Sequence, residues 1–186
     1  DPEPSYDAAP ACSVSPDVAS DFNAALSAEQ RLSPAERTAL GKIRAQVGCG
    51  EVAWDDAAVT SAQGRDYLAY LKAADAFYKE DWAGARQSFA SLNRAKSRWV
   101  AETATYMPIR IGLRSAIAKA VNEYGDFAGP DKVDPAAVAE ARSGIAAYLK
   151  AYPKGRYAAS AEGLKRRVAW LTGDTAALAR AYEKLI

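Results

Sequence analysis

The stretch Ala136–Tyr157, reading AAVAEARSGIAAYLKAYPKGRY, constrains the fold of this chain most strongly. Ala141, Ile145 and Tyr148 stand at i, i+4 and i+7, so on a helix they share one face and can pack on a neighbour. Pro153 stops that helix, because it has no N–H to donate and its ring disfavours a helical Tyr152. Gly155 frees the turn, and a new apolar pattern begins at Tyr157. The same spacing occurs upstream in Ala85, Phe89 and Leu92, and downstream in Leu178, Tyr182 and Leu185. Three helices therefore carry one packing stripe.

Each stripe has a helical partner in front of it. Tyr67, Leu68, Leu71, Ala74 and Tyr78 define a helix over 65–81, followed directly by Trp82 and the stripe through Leu92. Residues 157–171, then Gly173 and Asp174, then 178–186 predict a second such pair. Trp99, Ala104, Met107, Ile111, Leu113, Ile117 and Val121 predict a long helix with Pro108 inside it, kinked there unless two helices meet. An aromatic, breaker-rich loop over 122–134 follows, with Tyr124 and Phe127 as lid or packing residues. The predicted fold class is all-α, built from stacked antiparallel helical hairpins.

Ahead of these hairpins, Ser15-Pro16 starts a helix through Val18, Phe22, Ala25 and Leu26. Ser33, Pro34 and Glu36 form a capping box ahead of Leu40, Ile43 and Val47, with Gly48 as the stop. Asp55 and Asp56 read as a helix cap beside Trp54. The predicted organisation is an extended segment over 1–14, an N-terminal hairpin and linker over 15–64, and helical hairpins over 65–186.

The run Ala74, Phe77, Tyr78, Asp81, Trp82, Ala85 and Phe89 resembles a tetratricopeptide repeat (TPR), without the glycine usual in its turn. The phrase Tyr148-Leu149-Lys150-Ala151-Tyr152-Pro153, followed by Arg156-Tyr157 and Ala159, is similar to bacterial envelope TPR proteins of the outer-membrane-assembly lipoprotein (BamD-like) type. The resemblance covers roughly 65–186, with irregular spacing where the 122–134 loop intervenes. It implies an α-solenoid fragment with a right-handed superhelix, acting as a noncatalytic scaffold. The partner would be a protein or peptide of the envelope, with peripheral association to the outer membrane. In such proteins the first helix of each hairpin lines the concave face, which assigns partner binding to Asp75, Tyr78, Arg110, Arg114, Tyr157 and Arg167.

Composition narrows the alternatives. The formal charge of the 186 residues is +1, so no general electrostatic case exists for nucleic acid or an anionic membrane. The apolar runs are too short to span a bilayer. The chain has no His, which removes the commonest general base, and it lacks GxSxG, a phosphate-cradling glycine loop and HExxH. The expectation is therefore no enzyme, no cofactor and no metal site. The rival reading is a helical accessory domain of a larger enzyme acting on cell-wall polymer.

Two further features bear on address and ligand. Cys12 and Cys49 flank the N-terminal helix pair, and a disulfide between them would remove roughly 4 kcal/mol of unfolded-state entropy and imply an oxidising, extracytoplasmic compartment such as the periplasm. The alternative is two free thiols in a cytosolic protein. Lys150, Lys154, Arg156, Lys165, Arg166 and Arg167 lie among Tyr152, Tyr157 and Trp170 against Glu162. Such a basic, aromatic surface suits carboxylates, phosphates or an extended peptide, or else simply solvates a helix.

Overall fold

The computed structural model describes residues 16–48, 50–122, 124 and 126–183, with 16–19 as backbone alone. Among these residues the chain is all-α. Eight helices follow one another: α1 Pro16–Ala28, α2 Pro34–Arg44, α3 Ala62–Tyr78, α4 Trp82–Leu92, α5 Arg98–Ile117, α6 Pro135–Ala151, α7 Ala158–Leu171 and α8 Thr175–Glu183. Cys12 and Cys49, and hence the expected disulfide, lie outside the described residues, as do Ser15 and Leu185.

Local chemistry sets the boundaries. Ser33, Ser61, Asp81, Ser97 and Asp134 each accept a hydrogen bond from a first-turn amide, satisfying donors that a helix start leaves open. Proline occupies the start of α2 and α6, where its missing N–H costs nothing. Gly173, at φ 66°, ends α7 in the left-handed region. The α3–α4 turn needs the same conformation without a glycine. Glu80 adopts φ 61° there, at a cost of roughly 1 kcal/mol. The helix cap expected at Asp55 and Asp56 proves to be a single 3-10 turn, Asp56–Ala58, in which the Asp55 side chain accepts from Ala58 N–H.

Each helix from α3 onward packs on the next, and α3 also touches α5, as α5 touches α7. Helix α5 is the shared wall. It passes through Pro108 as one helix. One face of it, with Trp99, Val100, Ala104 and Ile111, closes a core around Phe22, Leu40, Tyr67, Tyr70, Leu71 and Phe89. Another face, with Tyr106, Ile109, Leu113 and Ala116, closes a second around Ala141, Ile145, Tyr148 and Leu171. The α5–α6 contact is close because it is built on small residues. A Cβ on Gly112 would lie 2.7 Å from the Ala137 carbonyl oxygen, and one on Gly144 would lie 3.0 Å from the Ile109 side chain.

Two of the three sequence stripes are core: Ala85, Phe89 and Leu92 are buried, and so are Ala141, Ile145 and Tyr148. The third departs from expectation. Leu178 is half-buried and Tyr182 is 58% exposed. Helix α8 packs on α7, and among the described residues no helix covers its other side, so the same spacing does not make the same core. In the 122–134 loop Tyr124 is exposed, whereas Phe127 packs tilted against Trp170 with ring centroids 4.4 Å apart. Asn122 folds this loop by accepting at its side-chain oxygen from the N–H groups of Tyr124 and Asp126. No helix among the described residues is long and apolar enough to cross a membrane.

Candidate functional site

Four of the six residues assigned to partner binding lie on α3 and α5, and the structure gives them unequal roles. Asp75 is buried; its Oδ2 accepts from Lys79 Nζ at 2.7 Å, and its Oδ1 has no hydrogen-bond partner among the described residues. Tyr78 is half-buried with its ring edge-on to Phe77. The Arg114 guanidinium sits 5.5 Å from the centre of the same Phe77 ring and 3.6 Å from the Glu80 carboxylate. Phe77 therefore holds Tyr78 and Arg114 together across the α3–α5 contact. Arg110, one turn earlier on α5, is exposed, and no ion pair is formed by it among the described residues.

The α7 end differs. Arg167 is exposed with its guanidinium 4.5 Å from the centre of the Trp170 ring, a cation–π arrangement that keeps the charge in solvent. Tyr157 is occupied by packing. Its ring stacks on Tyr106, its hydroxyl lies 3.0 Å from Thr103 Oγ1, and its N–H donates to the Tyr148 hydroxyl. Burial pushes the Tyr157 and Tyr148 hydroxyls above their ordinary range, so both are neutral donors at any physiological pH.

The basic stretch of 150–167 divides between places. Lys165 joins Glu162, and Arg167 joins Trp170. Lys154 and Arg156 turn to the opposite end, where the α1–α2 turn, the start of α5 and the α6–α7 turn converge. There a cavity of about 600 Å³ is lined by Arg31, Lys96, Arg98 and Arg156 with Glu29, over Tyr67 and Trp99. A second, of about 550 Å³, shares Arg98 and Arg156 and adds Lys154, Glu102 and Pro153. None of the five cations takes part in an ion pair among the described residues.

This trough is held firmly. Glu102 Oε1 accepts from the Tyr148 hydroxyl at 2.8 Å and from the Arg156 N–H, fixing the α6–α7 turn against α5. Asp66 Oδ2 accepts from Ser97 N–H at 2.8 Å, fixing the start of α5 against α3. The Arg156 guanidinium lies 5.9 Å from the centre of the Trp99 ring, which stacks on Tyr67. Reading along the chain singled out Lys154 and Arg156 but not Arg31, Lys96 or Arg98, because they reach the site from separate elements. A signal was present nonetheless. Arg94, Lys96 and Arg98 gather at the N-terminus of a long helix, where the dipole disfavours cations, and no acid stands in the first turn.

Compared with protein-family models, with curated proteins and with solved structures, the chain matches none.

Proposed function

We propose that this chain is a noncatalytic, tetratricopeptide-like scaffold of a bacterial cell envelope that binds a protein or peptide partner along the side formed by α3, α5 and α7. The observation that supports this reading is the contact of alternate helices, α3 with α5 and α5 with α7, which sets them side by side along one flank of the molecule. Along it stand the exposed cations Arg110 and Arg167 and the exposed Trp170, a mixture of charge and aromatic area suited to protein contacts. Interior positions are filled by side chains of the two cores, which leaves the outer faces to do the recognition.

Crosslinking in cells followed by pull-down tests the reading. Recovery of an envelope protein is expected, weakened at least about tenfold when Arg110 and Arg167 are changed to Glu, because reversing two contact charges removes more than 1.4 kcal/mol. Wild-type recovery by that variant would remove the α3–α5–α7 surface from consideration. The extracytoplasmic address has its own test. Mass measurement after alkylation, with and without reductant, is expected to show Cys12 joined to Cys49 in protein taken from its native compartment, and free thiols would refute it.

A further inference from the structure

We propose that the trough between the α1–α2 turn, the start of α5 and the α6–α7 turn binds an acidic, extended peptide segment through Arg31, Lys96, Arg98, Lys154 and Arg156. That the occupant is protein rests on the scaffold reading, while the residues involved are separate from Arg110 and Arg167.

Charge comes first. The whole chain has a formal charge of +1, yet the two adjoining cavities are lined by five cations against Glu29 and Glu102. The carboxylate of Glu102 already serves the α6–α7 turn through its bonds from Tyr148 and Arg156 N–H, so it is engaged locally. Like charges converge from three elements without an ion pair among the described residues, and two of them, Lys96 and Arg98, flank the Ser97 cap at the positive end of α5. Repulsion of this kind lowers stability unless an anion relieves it, and an anion placed there gains from both the side chains and the helix end.

Shape and donor chemistry then select the ligand. The cavities share Arg98 and Arg156 and so adjoin, and cations spread over two neighbouring cavities fit several carboxylates spaced along a chain better than a single compact anion. Three of the five cations are arginines, whose planar forks donate to carboxylates in bidentate fashion. The floor is aromatic. Trp99 lines it, 8% exposed, and its buried indole Nε1–H makes no hydrogen bond among the described residues. An acceptor from a ligand supplies what that donor lacks. The rigid hold of Glu102 and Asp66 on the two turns means that little ordering is required on binding.

The test uses fluorescence anisotropy of a fluorescein-labelled hexaglutamate with the full chain, alongside labelled hexaglutamine and with inorganic phosphate as competitor. Hexaglutamate is expected to bind, more weakly as salt rises, and hexaglutamine is not. Arg98→Glu with Arg156→Glu is expected to weaken binding at least about tenfold. Because Arg156 also packs on Trp99, Arg31→Glu with Lys96→Glu is measured in parallel and is expected to act the same way. Lys42→Glu with Lys119→Glu, an equal charge change at exposed positions elsewhere, is expected to leave affinity within about twofold. Absence of hexaglutamate binding, equal loss in the control pair, or displacement by phosphate at matching concentration would each overturn the proposal. If partner capture depends on Arg110 and Arg167 while hexaglutamate fails to bind, the scaffold reading stands and the trough falls.

Discussion

Glu36 joins the N-terminal helix pair to the rest of the molecule, and removing its charge is the sharpest test of how that junction works. The carboxylate is 4% exposed and accepts four hydrogen bonds. Ser33 N–H and Ser33 Oγ–H donate at 2.9 and 3.0 Å, while Thr60 N–H and Ser61 N–H donate at 3.0 and 2.7 Å. Since Ser33 caps α2 and Ser61 caps α3, one side chain closes the open ends of two helices. Burial alone pushes the carboxyl up. The bonds from Ser61 and Ser33 outweigh it and hold the pKa at about 2, below the ordinary 4.5.

A folded-state pKa that is lowered contributes stability that is present above the unfolded value. It is lost as pH falls from about 4.5 to about 2. The difference corresponds to about 3 kcal/mol at pH 7. Glu36→Gln keeps the shape but turns one oxygen into a donor facing other donors, so it is expected to destabilise by about 2–3 kcal/mol at pH 7. Urea unfolding of both proteins at pH 7, 4 and 2.5 measures this. The gap between them is expected to shrink steadily as pH falls, because protonation removes the same charge from the wild type. A gap below about 1 kcal/mol at pH 7, or one that is constant down to pH 2.5, would refute the reasoning.

Two further perturbations address the second core. Gly112→Ala is expected to destabilise by about 2–4 kcal/mol in urea or thermal unfolding, because the new Cβ would stand 2.7 Å from both the Ala137 carbonyl oxygen and the Ala141 nitrogen, and backbone cannot rotate away. Tyr148→Phe is expected to cost about 1–3 kcal/mol by the same measurement and to raise amide exchange at Tyr157, since it orphans the Tyr157 N–H and one bond to Glu102.

The architecture was legible in the sequence to the extent that apolar spacing and caps decide it. Phe89 and Ile145 fall in the core where their stripes place them, and the Ser33–Glu36 capping box forms as its spacing requires. Tyr182 repeats the same spacing and is exposed. Periodicity states which residues share a face of a helix, and a second helix on that face is a separate fact. Glu36 teaches the same limit from the other side. Its local half, the bonds from Ser33, is a four-residue motif, while its bonds to Thr60 and Ser61 join positions 24 and 25 apart and leave no mark in either segment. Gly112 and Gly144 left no signal in the apolar spacing, yet a Cβ on either would meet the facing helix at 2.7 or 3.0 Å.

The basic residues follow this rule as well. A run such as 150–167 looks like one cationic surface along the chain, but a turn between α6 and α7 sends Lys154 and Arg156 to one end and leaves Arg167 beside Trp170 on α7. What assembles the trough is the meeting of turns. Glu102 ties the α6–α7 turn to α5, Asp66 ties the start of α5 to α3, and cations from otherwise unremarkable sequence positions are thereby brought to one place. Both anchoring carboxylates bind backbone N–H groups, so they fix the turns while the arginine heads form no ion pair among the described residues. Had those acids paired with Arg98 and Arg156 instead, the same residues would have formed surface ion pairs of little consequence, and no demand for an outside anion would follow.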